Sequence, residues 1–110
     1  MNSVQLPWFP KELNPNARKH WSVVAKHKKS YRSVCYLLAK QAGIKPTESM
    51  RVVLTFYKPS NRHMDLDNCL AAIKAGLDGL ADAMQVDDRH FKLTVSMAEE
   101  LGGYIMVEVN

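Results

Sequence analysis

The sequence predicts an α+β domain: a small mixed β-sheet with two helices packed on it, in the order β-α-β-α-β-β. Three observations carry this. Apolar residues recur at helical spacing from Trp21 to Ala42 and again from Asp67 onward. They alternate at strand spacing from Met50 to Tyr57, from Lys92 to Glu99 and from Tyr104 to Val109. Glycine and proline punctuate the gaps. A chain of 110 residues, 46% hydrophobic, supports one domain (residues 1–110) with a single modest core.

Taken in order, Ser3 to Leu6 forms a short first strand, closed by Pro7-Trp8-Phe9-Pro10, where two prolines forbid regular structure. Trp8 reads as a core plug in preference to the alternative, a base-stacking platform. Asn14 to Trp21 is a polar, turn-prone loop rich in phosphate-donating groups, among them Asn16, Arg18 and Lys19. The first helix places Val24, Tyr31, Val34, Cys35, Leu38 and Ala42 on one side and stops at Gly43, with Pro46 beyond it. The strand that follows buries Met50, Val52, Leu54 and Phe56. Lys58 to Arg62 leads into a second helix, with Asp67 as its natural N-cap and Leu70, Ile73, Leu77, Leu80 and Met84 as its apolar face. Gly76 and Gly79 weaken its later turns, and an end near Gly79 is expected because it lets the chain bring Asp88 back; the alternative is that Asp88 completes the site of a partner subunit. Gly102-Gly103 is a hairpin signal before the last strand.

No apolar run approaches a membrane span and no signal peptide is apparent. Cys35 and Cys69 sit in apolar helical patterns without a Cys-x-x-Cys pair, which points to buried free thiols in a reducing cytoplasm. The net charge of +4 hides an asymmetry. Residues 1–62 carry 12 Lys/Arg against two acids; residues 63–110 carry three against nine. A basic half that grips a polyanion, joined to an acidic half that holds a cation, suits phosphodiester cleavage. The plainer reading is a helix with a solvated basic face.

Asp65 and Asp67 are two apart, which in extended chain turns both carboxylates the same way. Lys74 and Asp78 follow Asp67 by seven and eleven residues, close to its angular position on a helix. Mg²⁺ takes oxygen ligands and keeps several waters, so Asp65, Asp67 and one of Asp87/Asp88 suffice to hold it against a substrate phosphate. Lys74 then neutralises developing charge or assists proton transfer. Singly, Asp67 is equally a helix cap and Asp87-Asp88 a turn before a strand. Lys28, Lys29, Arg32, Lys58 and Arg62 join Asn16, Arg18 and Lys19 as candidate phosphate contacts. No small organic cofactor is expected. Two rival readings remain: a non-catalytic DNA-binding module, and a metal-dependent phosphohydrolase of a small phosphate ester.

The chain resembles the RusA family of Holliday junction resolvases. The matching pieces are Leu6-Pro7-Trp8 with Asn16 and Arg18 behind it, Asp65-Leu66-Asp67-Asn68, Lys74-Ala75-Gly76-Leu77-Asp78, Asp87-Asp88, and Gly102-Gly103 before a final strand. The resemblance implies a homodimeric, Mg²⁺-dependent endonuclease of the phage or prophage type that cuts four-way DNA junctions by paired symmetric hydrolysis. It assigns the metal to Asp65, Asp67 and Asp88, and an essential lysine to Lys74. Three more residues separate Asn68 from Lys74 than in shorter-spaced members, which shifts Lys74 about 4.5 Å along the helix.

Overall fold

The computed structural model describes residues 2–110. Its elements run β1 (Ser3–Pro7), α1 (Trp21–Ala42), β2 (Arg51–Tyr57), α2 (Leu66–Met84), β3 (Lys92–Met97) and β4 (Tyr104–Val109), with short 3₁₀ turns at Lys11–Leu13 and Asp88–His90. The order matches the expectation. The four strands form one mixed sheet in the order β1-β4-β2-β3. β3 runs parallel to β2, so α2 is a β-α-β crossover; β4 runs antiparallel to both β2 and β1.

The core forms where the period-two faces of the strands meet the helices. Val4, Leu6, Val52, Leu54, Phe56, Ile105, Val107 and Val109 are buried against Tyr31, Cys35 and Ala39 of α1 and Ile73, Leu77 and Leu80 of α2. Met50 is buried as expected, whereas Val34 and Ala42 face water rather than the core. The opposite sheet face keeps Val53, Thr55, Tyr57, Tyr104 and Met106 half-exposed. Both cysteines are buried free thiols, and among the described residues no helix is long and apolar enough to cross a membrane.

Three expectations change. Helix α2 does not end near Gly79; it continues to Met84 and stops at Gln85, which takes the left-handed conformation and donates its N–H to the Ala81 and Asp82 carbonyls. Gly76 and Gly79 are contact points rather than breakers. A β-carbon at Gly79 would collide with the backbone oxygen of Arg32, and one at Gly76 would lie 2.9 Å from the Tyr31 ring. The two helices therefore press together at these residues, and packing outweighs glycine's low helix propensity. Gly102-Gly103 does not close a β3–β4 hairpin, because β2 lies between those strands. The pair crosses the end of β2 instead, with the Gly103 N–H donating to the Tyr57 carbonyl (2.8 Å) and that of Gly102 to Lys58 (2.9 Å).

Candidate metal centre and nucleic-acid groove

Helix α2 sets the acidic residues out along its length. The cap position belongs to Asp65, not Asp67, and its extended backbone delivers the chain into the helix while the Cys69 N–H closes the first turn on its carbonyl. The Asp65 side chain makes no capping bond; it meets His63 Nε2 at 3.1 Å in open solvent. Asp67 lies in the first helical turn, where its charge suits the helix dipole. Since only Asp65 is extended, the two carboxylates do not share the single extended face that their spacing suggests.

Further along, Lys74 and Asp78 follow Asp67 on one flank of α2. Asp67 and Lys74 line one shallow cleft beside Leu93 of β3. Lys74 also lines the next, a groove of about 520 Å³ that it shares with Asp78, Asp88, Lys28, Lys29 and Arg32. Lys74 thus stands between the two acidic ends. Asp88 reaches this groove despite the long helix, because Val86 and the 3₁₀ turn fold the chain back beside the last turns of α2.

Asp87 and Asp88 part company here. Asp87 caps the turn, with Oδ1 accepting the Arg89 N–H at 3.0 Å and Oδ2 3.5 Å from the Arg89 guanidinium, and these contacts hold its carboxyl below the usual range. Asp88 lies beside Asp78 as well as Asp87, and shares the groove with Asp78. Partial burial, and then the hydrogen bond and charge of Asp88, push the Asp78 carboxyl up, against the opposing pull of Arg32. Two carboxylates in contact hold a proton between them more readily than one alone. Arg32 is already committed within the chain. It forks onto Asp82 at 2.7 and 2.9 Å and sits 4.0 Å from Asp78, which lowers the Asp82 carboxyl and raises the guanidinium.

The donor set of Asp78 and Asp88 fits Mg²⁺: two carboxylate oxygens with substrate phosphate and water are a sufficient shell. Asp65, Asp67 and Asp88 are not gathered in one protomer. Eleven residues of helix place Asp67 about 16 Å along the axis from Asp78. Among the described residues no three His, Cys, Asp or Glu side chains come together as a ready-made metal cage.

The basic candidates also divide. Lys28, Lys29 and Arg32 wall the groove of Asp78 and Asp88. Asn16, Arg18 and Lys19 are exposed on the loop before α1. Lys58 and Arg62 lie near the start of α2, where the Lys58 ammonium donates to the Arg62 carbonyl at 3.2 Å. Sequence reasoning placed Asp78 on the correct flank but gave it no role; the signal was the four-residue series Lys74, Asp78, Asp82.

No protein-family model matches the chain. An uncharacterized protein of Xylella fastidiosa (strain Temecula1 / ATCC 700964) is 41% identical to it over 96 residues. The match covers 83% of this chain, which spans 63% of that relative's length.

Proposed function

We propose that this chain is a Mg²⁺-dependent, structure-specific DNA endonuclease of the RusA type, acting as a homodimer on four-way junctions. The observation that carries it is the groove that Lys28 and Lys29 share with Lys74 and the neighbouring carboxylates of Asp78 and Asp88. A backbone phosphate laid on the lysines meets the acids at its edge. When bound, Mg²⁺ supplies polarisation of the scissile phosphate and a lower pKa for the attacking water. The chain's own work is to hold the strand with Lys28 and Lys29 and to set Lys74 beside the charge that develops on the phosphate.

Asp67 stands about 16 Å back along the helix, with Asp65 just before it, and the two would hold a cation against another phosphate or complete the site of a second copy. A two-fold dimer would suit the junction, because a four-way junction offers two equivalent strands to cut. The half-exposed, partly apolar sheet face around Val53, Tyr57 and Met106 gives a second copy something to cover.

The test is cleavage of a labelled synthetic four-way junction beside linear duplex, with and without Mg²⁺, using wild type and Asp88→Asn. Metal-dependent symmetric nicks, confined to the junction and absent from the mutant, are expected. Tight binding without cuts would leave a DNA-binding module. No binding would remove the DNA reading.

A further inference from the structure

A second cleft, away from the Asp78–Asp88 groove, opens between the segment after β1 and the loop that enters α2. It measures about 530 Å³, inside the roughly 300–1,000 Å³ of small-molecule sites. One wall is Trp8, half-buried and held rigid by stacking on Phe9 (centroids 4.7 Å apart) and by an edge contact to Phe56 (6.1 Å). The rim carries Lys11 and Arg62, both exposed, and the lining contains no carboxylate. Asn14 spends its side-chain oxygen on the Asn16 N–H at 2.9 Å, which leaves its amide NH₂ as the donating end; Ser60 adds a hydroxyl. His63, which also lines the cleft, contacts Asp65 at 3.1 Å and so ties it to the first acid of α2.

An aromatic wall, two cations without a counter-acid and a few hydrogen-bonding groups select a ligand that is flat, polar at its edge and anionic at one end. We infer that this cleft takes one unstacked nucleotide of a DNA strand, with its base on Trp8 and its phosphate on Lys11 and Arg62. The inference deepens the DNA reading above and rests on its nucleic-acid part. A branched substrate suits such a site, since bases at a strand exchange are cheaper to unstack than bases inside a duplex.

The experiment uses Trp21→Phe, a change at a residue 76% exposed, which leaves Trp8 as the single tryptophan. Its emission is followed while hexathymidylate, or the same backbone with abasic units, is titrated in. Binding of a labelled four-way junction is measured in parallel by anisotropy. Quenching by hexathymidylate, with the abasic strand at least about five-fold weaker, is the expected result, the scale coming from base–aromatic stacking. Lys11→Gln and Arg62→Gln should weaken hexathymidylate binding. By anisotropy of end-labelled hexathymidylate and abasic strands, which needs no tryptophan, Trp8→Phe should retain the base preference that Trp8→Leu loses. Junction binding with no preference for bases over abasic units overturns the subsite and leaves the DNA reading standing. Quenching without junction binding keeps the subsite and overturns the junction reading. Failure of both assays overturns both.

Discussion

The two ends of α2 carry the same chemical group in opposite circumstances. At the start, Asp65 and Asp67 stand in water, and the one contact of Asp65 is an exposed histidine. Three turns on, Asp78 is partly buried, shares a groove with Asp88 and Lys74, and lies 4.0 Å from Arg32. The first pair is close in sequence; the second is close in space. A carboxylate's appetite for a cation is set by neighbours in space, so under the proposed function the pair ten residues apart is the better candidate within one chain.

The sharpest way to break this comparison is to remove one acid at each end. Asp88→Asn and Asp78→Asn are each expected to slow junction cleavage about 100-fold or more in single-turnover assays, the scale of losing a group that acts on the transition state. Asp65→Asn should cost clearly less if one protomer holds the ion alone. Equal losses at both ends would mean that one active site draws on both, which a span of about 16 Å permits only across two copies.

The groove also depends on how closely α1 and α2 approach, since α1 brings Lys28 and Lys29 to the acids of α2. Gly79→Ala forces a methyl group onto the Arg32 carbonyl, backbone that cannot rotate away. A loss of about 1–3 kcal/mol in denaturant unfolding is expected, the usual cost of overpacking. Gly43→Ala meets no atom but sits at φ 68°. It should cost about 1 kcal/mol through backbone strain alone and leave cleavage intact.

How much of this was legible beforehand follows from which interactions are local. Strand alternation and helix periodicity are local, so Met50 to Phe56 and Ile73 to Met84 read correctly as buried faces, with Leu70 partly buried at the edge. Gly43 read correctly as a stop for the same reason. The Gly76–Gly79 pair misled because its purpose is to meet α1 residues 41 to 47 positions away, which no propensity scale can see. Gly102-Gly103 misled similarly: the turn is real, but strand order decides its partner, and β2 had already been claimed on one side by β3 through the α2 crossover. In the site, Lys74 and Asp78 were placed by helical arithmetic. The meeting of Asp88 and Asp78 in one groove, and the capping role that sets Asp87 apart, needed the fold.

Among the cations, commitment within the chain should separate equal charges. Lys28→Gln and Lys29→Gln are each expected to lower the slope of log affinity against log salt by about one, as loss of a phosphate contact does. Arg32→Gln should change the slope less, because its guanidinium is already forked onto Asp82. Its stability cost should stay below about 1 kcal/mol, since Arg32 and Asp82 are 49% and 41% exposed. A slope change as large as that of the lysines would show that DNA displaces Asp82 and frees the arginine.

The smallest effect bears most directly on which end of α2 holds the ion. The folded Asp78 carboxyl keeps its proton to higher pH than the unfolded one, chiefly through burial and then through Asp88. The folded state therefore binds more protons across that window, and stability falls as pH rises through it. Asp78→Asn removes this loss, so at pH 7 its Tm should exceed that of wild type, by less than about 4 °C because the side chain is 40% exposed. The difference should vanish as pH falls below the ordinary aspartate value of about 3.9. Mg²⁺ acts on the same pair in the opposite sense: binding requires both carboxylates ionised, so it should raise the wild-type Tm at pH 7 while leaving Asp78→Asn nearly unmoved. A Mg²⁺-dependent rise that survives Asp78→Asn and disappears with Asp65→Asn would move the ion to the start of the helix, where the two exposed aspartates would need a phosphate or a second copy to complete its shell.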